Sequence, residues 1–177
     1  MEFSVTKIVW EYGEKYGDVF YPHTLSDLQK KIKELDSWGR KNDYPFLIGI
    51  HFTDDSYLGF TVGHDLSYME FYSYISENSD QRQGPYYLVN PEGNIDEFIF
   101  IYYMASHSDI ETTKMIPQYE SLQAVYHYVV HKVFPPFIRF DDDQVNKKFI
   151  CTACQEDCLN SLSYTIAKHD NKIYANR

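Results

Sequence analysis

Phe46-Leu47-Ile48-Gly49-Ile50-His51-Phe52-Thr53-Asp54-Asp55-Ser56-Tyr57-Leu58-Gly59-Phe60-Thr61-Val62 is the stretch that decides the fold. Its dense apolar first half, just after Pro45, reads as a central strand. Thr53 to Ser56 is turn chemistry, and Tyr57 to Val62 returns as the hairpin partner. Gly63-His64-Asp65 breaks the run. Beyond it Tyr68, Glu70, Tyr72 and Tyr74 alternate with Met69, Phe71, Ser73 and Ile75. The period of two predicts a third strand with the second set buried and the first set wetted.

Upstream, Phe3 to Trp10 alternates as a strand, and Glu11 to Pro22, with Gly13 and Gly17, reads as a hairpin or loop. Thr24 is an N-cap candidate with Asp27 three residues on, a capping-box variant. Leu25, Leu28, Ile32 and Leu35 then recur at helical spacing, and Gly39 reads as the C′ stop. Downstream, Pro85 to Val89 and Phe98 to Met104 read as strands around the Asn90–Asn94 turn. Ile116-Pro117 opens a second helix whose apolar stripe is Leu122, Val125, Val129 and Val133, ended by Pro135-Pro136. Phe137 to Phe140 reads as a closing strand. The order predicts an α+β fold, a largely antiparallel sheet with two main helices packed on one face, plus a C-terminal extension. A chain of 177 residues suits a single domain, with a core over 1–140 and an extension over 141–177.

Composition narrows the function. Hydrophobic residues are 44% and charged residues 24% of the chain, which excludes a disordered or collagen-like protein. With 16 Lys and Arg against 26 Asp and Glu the net charge is −10, so direct nucleic-acid binding is not expected and a basic protein partner suits better. Seventeen Tyr, twelve Phe and two Trp make 18% of the chain aromatic. So many Tyr hydroxyls cannot all be buried, and exposed Tyr makes good binding surface. No apolar run approaches the ~18 residues of a membrane span. The N-terminus lacks the pattern of a secretory signal, and three cysteines argue against a disulfide framework, so a reducing compartment, the cytoplasm, is expected.

Chemistry-bearing motifs are few. Cys151, Cys154 and Cys158, with His169 beyond, are one ligand short of a regularly spaced zinc site, so no metal is expected. His127 and His131 stand at i, i+4, but Tyr128 occupies the place where a metallopeptidase has its Glu. Asp141-Asp142-Asp143 lacks the spaced ligands and Gly turn of a calcium loop. No nucleophile elbow, phosphate loop or dinucleotide fingerprint occurs, and neither a cofactor nor a catalytic residue is expected.

Several segments in this order resemble the small immunity proteins of bacterial polymorphic toxin systems, the family usually paired with deaminase-superfamily toxins. They are the strand and capped helix over Phe3–Leu35, Leu58-Gly59-Phe60-Thr61-Val62-Gly63 followed by Leu66–Tyr72, then Gly84–Val89, Ile116-Pro117 with the Leu122–Val133 helix, and Phe137–Phe140. The resemblance implies an α+β protein of contact-dependent growth inhibition or a related system. Such a protein is non-enzymatic and neutralises a cognate toxin domain, a basic protein such as a deaminase or nuclease, by blocking its active site or cleft.

Charge and tyrosine together nominate the toxin-binding residues as Asp54, Asp55, Asp65, Tyr68, Glu70, Tyr72 and Tyr74, expected to form one patch. The alternatives are docking through Ser76–Gly84 or Asp141–Asp143, a small hydrolase or nucleotide-processing enzyme using His64, Asp65 and another carboxylate, and a zinc-stabilised scaffold built on the C-terminal thiols.

Overall fold

The computed structural model describes residues 3–10, 18–73, 83–103 and 106–151. The elements run β1 (Val5–Trp10), β2 (Asp18–Phe20), α1 (Leu25–Lys41), β3 (Phe46–Phe52), β4 (Tyr57–Val62), β5 (Leu66–Ser73), β6 (Gln83–Tyr87), β7 (Phe98–Tyr103), β8 (Ser106–Glu111), β9 (Met115–Pro117), α2 (Gln118–His131) and α3 (Asp143–Phe149). Strands are ordered β2-β1-β3-β4-β5-β6, every neighbouring pair antiparallel. β9 pairs the first part of β5, ahead of the part that pairs β6. The expected α+β architecture is present.

Register explains the core. Phe46, Ile48 and Ile50 of β3 stand opposite Val62, Phe60 and Leu58 of β4, which continue across to Met69 and Phe71 of β5. Period-two alternation sends all of these to one face. There they meet Leu28, Ile32 and Leu35 of α1 and Ala124, Val125 and Tyr128 of α2 in one buried cluster. Fully burying side chains of this size contributes about 1.5–3 kcal/mol each. Both helices therefore cover the same face, as the periodicity predicts. Thr24 caps α1 by accepting from the Asp27 amide at 3.1 Å, while the Asp27 carboxylate accepts from the His23 amide.

Several expectations give way. Gly39 is not a stop: α1 runs on to Lys41 with Asn42 as its cap, and Gly39 is buried against the backbone of Gly63. A Cβ there would stand 2.8 Å from the Gly63 Cα, so the glycine serves close packing rather than termination. Phe137 to Phe140 is no strand, only an irregular segment with one bridge from Phe140 to Leu88. Ile138 and Phe140 are nonetheless buried, so their apolar character reports burial rather than strand pairing. Val133 lies past the end of α2 and is half-buried. The core also runs beyond Phe140, since α3 buries Val145 and is capped by the Asp142 side chain accepting from Gln144 and Val145 amides. Cys151 is disulfide-bonded, against the expected reduced thiols; its partner lies outside the described residues, as do Cys154, Cys158 and His169.

The second face of the sheet is where the function question turns. β7 joins β3 in parallel at a single pair, Phe46 with Tyr102, and β8 pairs with β7. Ile101, Leu47, Tyr68 and Met115 form a second buried cluster, with Ile99, Ile110, Leu66 and Tyr87 packed against it. The β7–β8 hairpin thus lies over part of the face that the helices leave open.

Candidate protein-docking surface

The hairpin decides the fate of the nominated residues. Tyr68 is only 6% exposed and Glu70 only 4%, so the face read as wetted is covered there, by Ile101, Met115 and Tyr87. Tyr72 is half-buried, and Tyr74 lies outside the described residues. Nor do the carboxylates gather in one patch. Asp54 and Asp55 belong to the β3–β4 turn and Asp65 to the β4–β5 turn, at opposite ends of β4. At the ~3.3 Å rise of a strand, the six residues of β4 hold the two turns about 20 Å apart. Alternation identified residues sharing a face; it carried no information about what covers that face.

Asp54 and Asp65 also have local tasks. Asp54 accepts from the Ser56 hydroxyl and amide and pairs with Lys132 at 3.1 Å. Burial works against its ionisation, yet the Ser56 bonds and Lys132 hold its carboxyl below the usual range. Asp65 pairs with Arg40 at 2.7 Å. Arg40 also reaches Asp36, the His64 carbonyl and Gln118, and Asp36 accepts from the Gly63 amide at 2.8 Å and from Gln118 at 2.6 Å. This network ties α1, the β4–β5 turn and the start of α2 together. His64 is committed to the same turn, its Nδ1 accepting from the Leu66 amide at 3.0 Å. His127 is buried with Nδ1 2.8 Å from the Val133 carbonyl, so that nitrogen carries the proton; burial holds its pKa down. Asp141 accepts from the Tyr87 amide, so it and the capping Asp142 also serve the fold.

Glu70 is different. Gly49, Gly59 and Glu70 stand in one row across β3, β4 and β5, and the Glu70 side chain lies over Gly59. Its Oε2 accepts from the Tyr68 hydroxyl at 2.9 Å, while its buried Oε1 has no hydrogen-bond partner among the described residues. Burial pushes its carboxyl above the usual range, with the Tyr68 bond opposing. The sequence showed a Glu in a strand but not that it would be enclosed.

What the sequence did not nominate is a line of rings running from the end of α1 along β7, exposed at Trp38, Phe100, Phe98 and His107 and half-buried against the core at Tyr44 and Tyr102. Trp38 meets Tyr44 edge-on at 5.6 Å, and Tyr44 stacks on Tyr102 at 3.6 Å and 11°. Tyr102 meets Phe100 at 5.1 Å, and Phe100 stacks on His107 at 4.7 Å. Phe98 follows two residues along β7 on the same side. Trp38, Phe100 and Phe98 are 37%, 41% and 51% exposed. Register sets Phe98 opposite Glu111, Phe100 opposite Asp109 and Tyr102 opposite His107, so rings and carboxylates alternate across the hairpin. Asp43, exposed, borders the other end. Aromatic anchors rimmed by charge are the usual make-up of a protein-binding patch. The signal was present as Phe98-Ile99-Phe100-Ile101-Tyr102, but both residue sets are apolar, and sequence alone could not say which faces out.

Comparison of the chain with protein-family models, curated proteins and solved structures finds no match. Among the described residues, no helix is long and apolar enough to cross a membrane.

Proposed function

We propose that this protein acts by binding, as a non-enzymatic immunity protein that occupies the cleft of a basic, nucleic-acid-directed toxin. The observation carrying the reading is the ring line from Trp38 to Phe98, exposed at Trp38, Phe100 and Phe98, beside Asp109 and Glu111. A toxin acting on nucleic acid needs a positive cleft to attract phosphates. A protein of net charge −10 is drawn to such a cleft, the carboxylates speeding encounter and the rings slowing release. The reading places the protein in the cytoplasm, where reducing conditions would open the Cys151 disulfide.

The test is co-expression with the neighbouring toxin domain that the immunity reading requires. Wild type should restore growth, and the double variant Phe98→Ser, Phe100→Ser should not, while keeping its thermal transition. Burying one such ring at the centre of an interface contributes about 2 kcal/mol or more, so the pair should weaken binding at least ~100-fold. Undiminished rescue by the double variant would overturn the docking surface. Failure of wild type to bind or rescue would overturn the immunity reading.

A further inference from the structure

The hairpin that carries the rings also ends the sheet. β8 pairs with β7 through six consecutive residues without a register shift, and among the described residues its other side has no strand. The phase of the ladder follows from two bonds. The Thr112 amide donates to the Glu97 carbonyl at 2.9 Å, making that pair hydrogen-bonded, and the Tyr102 amide donates at 2.9 Å to Pro45, away from β8. Antiparallel ladders alternate. Ile110 and Ser108 therefore direct their backbone groups at β7, while Glu111, Asp109 and His107 direct theirs outward along the open edge. Those same three residues place their side chains on the ring-bearing side, opposite Phe98, Phe100 and Tyr102.

Open edges are normally blunted by Lys, Pro or a bulge. Ser106-His107-Ser108-Asp109-Ile110-Glu111 has no Lys, Pro or bulge, and its edge charges are the carboxylates of Asp109 and Glu111. Its two carboxylates disfavour one occupant, a second copy of this chain, in the registers that align them. Antiparallel pairing centred on Ile110 would set Asp109 against Glu111, and pairing centred on Asp109 would set it against itself. Like charges directly opposite are destabilising, and each copy carries −10 overall. A strand with Lys or Arg at alternate positions meets the reverse situation: its backbone completes the edge and its cations fall beside Asp109 and Glu111.

We infer that the β8 edge takes up an extended basic segment of the partner by β-strand addition, the alternating cations pairing with Asp109 and Glu111 beside the ring line. This deepens the docking reading and rests on it. Strand addition supplies affinity through main-chain bonds and specificity through alternate side chains.

The probe is a synthetic peptide of alternating Val and Lys, set against the same peptide N-methylated at alternate residues so that one edge cannot donate. Hydrogen exchange followed by NMR should show the amides of His107, Asp109 and Glu111 slowed by the first peptide and unaffected by the second. In the full protein, Asp109→Ala removes the charge, while Asp109→Pro also removes the outward donor and leaves the β7 bonds intact. The proline variant should bind the toxin about tenfold or more weakly than the alanine variant, the equivalent of one or two lost hydrogen bonds. Equal protection by both peptides, or equal affinity of the two variants, would overturn strand addition. If Phe98→Ser, Phe100→Ser still abolishes binding in that case, the docking surface stands without it. Should Asp109→Pro disturb the hairpin, the peptide comparison decides. Self-association of the free protein with slowed β8 amides would assign the edge to a second copy and overturn the inference.

Discussion

Replacing Gly39 with alanine should destabilise this protein, although the same change in an exposed helix interior would stabilise it by about 1 kcal/mol. The added Cβ would meet the Gly63 Cα at 2.8 Å, the Tyr44 carbonyl oxygen at 3.0 Å and the Phe46 ring at 3.1 Å. Two of those are backbone atoms, and Gly63 is itself at φ 88°, where few side chains can follow if it shifts. Overpacking of this kind costs about 1–3 kcal/mol. Pushing α1 outward also stretches the bond from the Gly63 amide to Asp36, 2.8 Å long and charge-assisted, of a class that contributes about 1.5–3 kcal/mol. Set against the helix gain, the net expectation is a loss of about 2 kcal/mol. For a chain of this size that lowers Tm by roughly 4–8 °C. Urea unfolding should show a lower midpoint with unchanged slope. Ser37→Ala, exposed and in the same turn, is the control and should match or slightly exceed wild type. Gly39→Ala as stable as wild type would refute the argument that the α1–turn contact is rigid. The contact matters for the docking surface because it sets Trp38 and, through the Tyr44 amide bond to the Gly39 carbonyl, Tyr44.

Because burial raises the Glu70 carboxyl, the folded state holds that proton more tightly than the unfolded chain, and stability is lost as pH rises from about 4.5 toward the raised value. Glu70→Gln does not titrate, so its stability relative to wild type should increase between pH 4.5 and 7.5; a pH-independent difference in urea midpoints would contradict this. Tyr68→Phe removes the one hydrogen bond to that carboxylate and should cost about 1.5–3 kcal/mol at neutral pH by the same assay. Asp142→Ala removes the α3 cap, which accepts from two amides, and should cost about 1 kcal/mol, visible as faster exchange of the Val145 and Phe149 amides. Lys substituted at both Asp109 and Glu111 should slow association with the toxin and invert its salt dependence in stopped-flow measurements.

The features that sequence determined are those set by near neighbours along the chain. Thr24 and Asp27 cap a helix because three residues of separation bring hydroxyl and amide together. Leu28, Ile32 and Leu35 share a stripe because 3.6 residues make a turn, and Phe46 to Phe71 share a sheet face because strands alternate. Tertiary structure alone decided what covers each face. Tyr68, Glu70 and Tyr72 lie on one face, as alternation requires, but Ile101 and Met115, distant in sequence, enclose the first of them. In β7 both residue sets are apolar, so the burial of Ile101, the half-burial of Ile99 and the exposure of Phe98 and Phe100 depend on which side of the hairpin meets Leu47. Gly39 carries the same lesson: a glycine that stops a helix and one that admits a neighbouring backbone are identical in sequence, and only the Gly63 Cα beside it tells them apart.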